Sequence, residues 1–249
     1  MPIDVVVLVT NTPTPYRNHM YSLMKDEFAL VGIDFIVWFT SRREPLRKWG
    51  EMKLDYPHEF LCGKNGGTGI FETVKVIPRF LLNIYKRKPD LVIAGGYYDA
   101  PNLVIAILNK FGMIRALLWH ETHQESRNKW WLNKIRVQVL RSYRYFIIPG
   151  LAQKLFLENM LEKHVINFIY LPNIIDENLF LAESGKIGRF DSDKCVFFCA
   201  LRLIDSKGIS EIIAASVDLP STIERRIAGD GPLRQQLLES TAVMNGRIK

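Results

Sequence analysis

The chain has 249 residues, 48% hydrophobic and 24% charged, which supplies enough apolar content for packed cores and excludes a disordered polymer. Its net charge of +7 is confined to one part: up to Asp176 there are 23 Lys and Arg against 16 Asp and Glu, and beyond it 10 against 10. A basic first part suits an acidic partner, whether anionic lipid, phosphate-bearing acceptor or nucleic acid.

No run approaches the roughly 18 apolar residues of a spanning helix. Val5–Val9 follows Asp4 and has neither a basic flank nor a small-residue cleavage site, so it is no secretory signal, and a cytoplasmic or peripheral protein is expected. Cys62, Cys195 and Cys199 lack the spacing of a metal or redox motif and are expected to be small buried hydrophobes.

Along the chain, strand and helix patterns alternate. Val5–Thr10 reads as a buried strand, and Asn11–Pro15 as a loop because its two prolines preclude regular pairing. Tyr16–Lys25 reads as a helix with Met20, Leu23 and Met24 on one side, and Ile33–Phe39 as a strand. Ser41–Gly50 is charged and turn-like, and Gly63–Gly69 is a glycine-rich loop. Helix Val76–Arg87, strand Leu91–Ala94, helix Asn102–Phe111 with Gly112 as its cap, and strand Ala116–Trp119 follow. Lys129–Tyr143, Phe146–Ile148, Leu151–Leu161 and Phe168–Leu171 continue the alternation as helix, strand, helix and strand.

This order implies an α/β fold whose parallel sheet is covered on both faces. Ligands then gather beyond the carboxyl ends of the strands, at Asn11–Arg17, Gly95–Asp99 and His120–Glu125.

Residues 177–193 read as a linker, after which the pattern restarts: strand Val196–Ala200, helix Ile209–Val217, strand Arg226–Ala228 and helix Leu233–Thr241. Ile248-Lys249 reads as the start of another strand. The second unit is small for an independent core, and its sheet would keep an open edge, so a chain cut before its second domain is complete is expected.

Two clusters carry chemistry. Arg202 and Lys207 fall between a strand and the helix opening near Gly208, where two cations and a helix N-terminus make a natural diphosphate site; the bland alternative is a pair of solvated surface cations. Gly229-Asp230-Gly231 forms a tight strand-to-helix turn whose glycines let backbone approach a ligand, although GDG alone is common in turns. Neither a Walker loop nor GxGxxG is present.

With Leu171-Pro172-Asn173-Ile174-Ile175-Asp176 ahead of them, these clusters resemble, in order and spacing, the "PN.iD", "RL...KG" and "GdGp" segments of glycosyltransferase family 4. Thr10–Arg17 (TNTPTPYR) and Asp90–Tyr97 (DLVIAGGY) resemble its bacterial polysaccharide branch.

The resemblance implies a GT-B-like fold. A Rossmann-type acceptor-side domain would span 1–176, a linker 177–193, and the start of a nucleotide-sugar-binding domain 194–249. It implies a retaining transferase that moves a sugar from a nucleotide-sugar donor to a glycan or lipid-linked acceptor, with no cofactor and no metal. Arg202 and Lys207 would hold the donor diphosphate and stabilise the leaving nucleotide; Gly229, Asp230 and Gly231 would shape the nucleotide side. His120 matches the family's cleft histidine near the donor sugar and would be catalytic, its neutral imidazole bonding a sugar hydroxyl or the departing phosphate, with Glu121 beside it on the acceptor side. Asn11 and Arg17 would line the acceptor side, although the loop at Asn11–Pro15 departs from the family's glycine-rich form.

The family's glutamate pair separated by seven residues has no counterpart before Lys249. A non-catalytic remnant that binds acceptor or membrane but no donor is therefore an alternative reading, as is a sugar-nucleotide epimerase of the same architecture. Arg127, Lys129, Lys134, Arg136, Arg141 and Arg144, with Trp130 and Trp131, form a basic stretch suited either to an anionic membrane surface or to a solvated face with the tryptophans turned inward. Nucleic acid is not expected, because no binding module accompanies the charge.

Overall fold

The computed structural model describes residues 2–42, 52–63, 70–122, 130–162, 166–178, 181, 195–220, 222–240 and 243. The chain divides into two compact units, Met1–Asn178 and Leu179–Lys249. The expected features at 43–50, 64–69, 123–129, the greater part of the linker and Ile248-Lys249 lie outside the described residues.

In the first unit seven strands form one parallel sheet: β1 (Val5–Thr10), β2 (Asp34–Phe39), β3 (His58–Phe60), β4 (Leu91–Ala94), β5 (Ala116–Trp119), β6 (Tyr145–Ile148) and β7 (Asn167–Tyr170). Their spatial order is β3-β2-β1-β4-β5-β6-β7. The helices are α1 (Pro15–Leu30), α2 (Ile70–Val74), α3 (Ile77–Arg87), α4 (Ala100–Lys110), α5 (Trp130–Leu140) and α6 (Leu151–Leu161).

The central strands β1, β2, β4, β5 and β6 are mostly apolar because successive residues feed opposite cores, whereas the edge strands β3 and β7 are more exposed. Val7, Val9, Ile36, Trp38, Val92 and Leu118 pack on one face against Phe80, Ile105, Leu140 and Leu157 from α3, α4, α5 and α6. Val6, Leu8, Phe35, Val37, Phe39 and Trp119 pack on the other against Met20 and Tyr21 of α1. Burial on both faces is what a continuous Val/Ile/Leu run in a parallel sheet requires.

Three expectations need correction. The edge strand β3 is absent from the pattern reading; it has three residues, and Pro57 masks it, yet the Pro57 carbonyl accepts from Val37 N–H at 3.0 Å and Leu61 N–H donates to the Phe39 carbonyl at 2.8 Å. Helix α1 runs five residues past Lys25, because Phe28 still packs on the core and the stop lies at Gly32 (φ +76°), beyond which Ile33 N–H closes on the Phe28 carbonyl at 2.9 Å. Of the cysteines, Cys62 alone is buried; Cys195 is exposed and Cys199 half-buried.

The cysteine difference follows from the second unit. There β8 (Cys195–Ala200) and β9 (Ile223–Ala228) pair in parallel, with helices α7 (Ile209–Val217) and α8 (Arg234–Leu238). Leu203, Ile209 and Leu237 form its small buried core, and most of β8 remains open to solvent. Strand β9 begins three residues before the expected Arg226, and α8 is shorter than the expected Leu233–Thr241.

Candidate functional site

All first-unit strands are parallel, so the loops after β1, β4 and β5 meet at one edge. Gly95 makes this possible: its N–H donates to the Val9 carbonyl at 2.7 Å, and a Cβ there would lie 2.8 Å from that oxygen. Any side chain would push β4 off β1.

The three loops enclose a pocket of about 260 Å³. Asn11, Thr14, Tyr16 and Arg17 come from the loop after β1 and the first turn of α1, Gly95 through Tyr98 from the loop after β4, and Trp119, Glu121 and Thr122 from the end of β5. The structure thus brings Asn11, Arg17 and Glu121 together.

Arg17 is not a surface cation. It continues the buried stripe of Met20, Tyr21, Met24 and Phe28, and its guanidinium donates to Glu121 Oε1 at 2.6 Å. It also sits 5.8 Å from the ring centroids of both Tyr16 and Trp119. Burial alone would lower its pKa, but Tyr21 and Glu121 outweigh burial and hold the guanidinium more firmly protonated than usual.

His120 is fully buried and is not part of the pocket lining. Its ring stacks between Tyr97, at 5.4 Å and 21°, and Phe156, at 5.6 Å and 17°. Burial pushes its pKa down to about 4, opposed by the Thr122 backbone and aided by the charge of Arg136, so the imidazole is neutral at pH 7. The stack holds Tyr97 in the wall, where its hydroxyl bonds Tyr98 Oη at 2.6 Å and reaches Thr122 Oγ1 at 3.3 Å.

Arg136 is buried behind this wall, bonding Tyr98 Oη at 3.4 Å, and so is not part of a solvated basic face. Lys134, Arg141 and Arg144 are exposed. Arg127 and Lys129 lie outside the described residues, as do the side chains of Trp130 and Trp131.

Tyr97, Tyr98, Trp119 and Thr14 line the pocket although no sequence motif singles them out as individual lining residues. Their signal was positional: each lies at, or within a few residues of, a strand's carboxyl end.

In the second unit the two motif segments form one backbone structure. Leu201 N–H donates to the Ala228 carbonyl at 3.0 Å, Leu203 N–H to the Asp230 carbonyl at 3.0 Å, and Leu233 N–H to the Leu203 carbonyl at 3.1 Å. A Cβ on Gly229 would collide with the Leu201 carbonyl oxygen, and one on Gly231 with that of Leu203. These glycines therefore serve a close approach of backbone to backbone.

Arg202, half-buried, sits between the two clasped leucines. Lys207 is exposed in the 3-10 turn Asp205–Lys207, which ends at Gly208 (φ +70°) where α7 begins. Among the described residues no group of three or more His, Cys, Asp or Glu side chains could hold a metal ion.

A parallel sheet ordered 3-2-1-4-5-6-7, with a second parallel unit after it, places the chain in the GT-B-like α/β class. It is similar to HepE of Anabaena, solved in complex with UDP and glucose, at TM-score 0.64 and 14% identity over 99% of this chain and 68% of that one. It is also similar to WaaG, a glycosyltransferase involved in lipopolysaccharide biosynthesis (TM-score 0.59, 11% identity, 98% and 69% covered). A UDP-GlcNAc 2-epimerase from Methanocaldococcus jannaschii shares the fold (TM-score 0.55, 15% identity, 98% and 72% covered). No protein-family model and no curated protein sequence matches the chain.

Proposed function

We propose that this protein is a nucleotide-sugar-dependent glycosyltransferase of the family 4 type, acting with retention in cell-surface polysaccharide synthesis. The observation that carries the reading is the clasp between residues 201–203 and 228–233, which sets Arg202 and Lys207 at the carboxyl end of β8 and the start of α7. Two cations beside a helix N-terminus suit a diphosphate, and the UDP bound by HepE supports a nucleoside diphosphate as that ligand.

On this reading residues 194–249 begin the donor side, with Gly229, Asp230 and Gly231 supporting the nucleotide. Residues 1–176 form the acceptor side, with Asn11, Arg17 and Glu121 on the acceptor. His120 acts as a neutral group behind Tyr97. Peripheral contact with the inner face of an anionic membrane belongs to the same proposal, supported by exposed Lys134, Arg141 and Arg144. Among the described residues no helix is long and apolar enough to cross a membrane.

Calorimetry with UDP and other nucleoside diphosphates, followed by acceptor-dependent nucleotide release, tests the reading. Binding at roughly micromolar Kd is expected. Arg202→Ala and Lys207→Ala should each lower transfer by about 10²- to 10³-fold with unchanged circular dichroism. Normal transfer by both variants would refute the assigned roles. Absence of nucleotide binding would favour the remnant, and acceptor-independent sugar inversion the epimerase.

A further inference from the structure

The described lining of the first-unit pocket contains two charged side chains, Arg17 and Glu121, and they are bonded to each other at 2.6 Å. Arg136 stands behind Tyr97 and Tyr98, outside the lining. The rest of the described lining is Asn11, two glycines, and aromatic or hydroxyl side chains. Thr14 Oγ1 and Trp119 Nε1 are buried there without a hydrogen-bond partner among the described residues. Tyr98 turns 60% of its surface to solvent at the rim.

We propose that this pocket takes an uncharged sugar ring of the acceptor, and that Glu121 sets this preference by keeping Arg17 occupied. The inference rests on the glycosyl-transfer reading and names the substrate class of its acceptor side. A neutral ring offers apolar C–H faces to Tyr16 and Tyr98, and hydroxyls to Asn11 and Thr122, with Thr14 and Trp119 packed behind them. An anionic sugar would have to take Arg17 from Glu121, leaving a partly desolvated carboxylate without its counter-ion. The pocket lies just below the ~300–1,000 Å³ of typical small-molecule sites, which suits one ring and not a whole nucleotide sugar.

The test is an NMR titration of the full chain without nucleotide, following the Trp119 indole N–H and the backbone amides of Gly96 and Thr122. Trp119→Phe assigns the indole signal. The probes are the methyl glycosides of glucose, galactose and mannose, set against methyl glucuronide and glucose 6-phosphate. Wild type should respond to at least one neutral glycoside, with the charged probes at least tenfold weaker.

Glu121→Gln, which keeps an oxygen on Arg17 but removes the charge, should narrow or reverse that ratio. Tighter binding of a charged probe by wild type would overturn the proposal. So would an unchanged ratio in Glu121→Gln, or no response to any probe. Because no nucleotide is present, failure here is separate from failure of the donor assay. Loss of UDP binding with neutral-sugar binding intact would overturn the transferase reading and leave the pocket assignment standing.

Discussion

Replacing His120 by phenylalanine isolates the consequence of burying a neutral imidazole between two aromatic rings. Its pKa is about 4, against an ordinary value of 6.5. At pH 7 the residue is neutral in the folded chain and mostly neutral in the unfolded one, so its proton linkage there is small. Below pH 6.5 the unfolded chain binds a proton that the native state refuses, so stability falls as pH drops through the window from 6.5 to 4 and levels off below it. A tenfold change in proton affinity corresponds to about 1.4 kcal/mol, which gives a loss of about 2 kcal/mol by pH 5 and about 3 kcal/mol at the limit.

Carboxylates titrate in the same range, so the informative quantity is a difference between proteins. His120→Phe keeps a flat ring between Tyr97 and Phe156 and removes the titration. Urea unfolding of both proteins at pH 7 and pH 5 should show the gap between them shifting by about 2 kcal/mol in favour of the variant. A gap that stays constant, or an NMR titration placing His120 near 6.5, would refute the claim that the imidazole is buried and neutral.

Two further substitutions probe the backbone that positions the site. Gly231→Ala drives a methyl group into the Leu203 carbonyl, so it should destabilise the second unit by about 1–3 kcal/mol and lower hydrogen-exchange protection at Leu203 N–H. Unchanged protection would show that the clasp has room to spare. Asp99 caps α4 by accepting from the Asn102 backbone N–H at 2.9 Å, so Asp99→Ala should cost about 1 kcal/mol in urea unfolding while Asp99→Asn costs much less.

The parallel α/β alternation was legible because β1, β2, β4, β5 and β6 are almost wholly apolar runs, as burial on both faces requires. Helix α6 matched at both ends, since Gly150 opens it and Leu161 is its last buried residue. Strand β3 could not be read, as three residues after a proline contain no period. The Arg17 environment was legible in part: its spacing to Met20, Tyr21, Met24 and Phe28 lies on a buried helical stripe, but an arginine is ordinarily assigned to solvent. What sequence could not supply was the partner, because Glu121 lies 104 residues away and reaches Arg17 only through the β1–β4–β5 order of the sheet. In the glycine turn, the residues present suggested a ligand; the carbonyl oxygens of Leu201 and Leu203 show a backbone neighbour that makes glycine necessary before any ligand arrives.

The adjacent His120 and Glu121 have different environments, and the pleat of β5 explains why. Leu118 packs on the α3–α6 face and Trp119 on the α1 face. The alternation persists past the strand's end, where His120 N–H still donates to the Ile147 carbonyl at 2.8 Å. His120 therefore joins Tyr97 and Phe156 on one face, while Glu121 meets Arg17 of α1 on the other. One side chain loses water and becomes a neutral support for the tyrosine wall; the next pairs with the Arg17 guanidinium at the rim. A one-residue insertion before His120 would exchange the two faces, placing an acid among aromatic rings and an imidazole against Arg17. The chemistry of this pocket is thus fixed by register at the carboxyl end of β5, and a histidine-glutamate pair at a different register would not reproduce it.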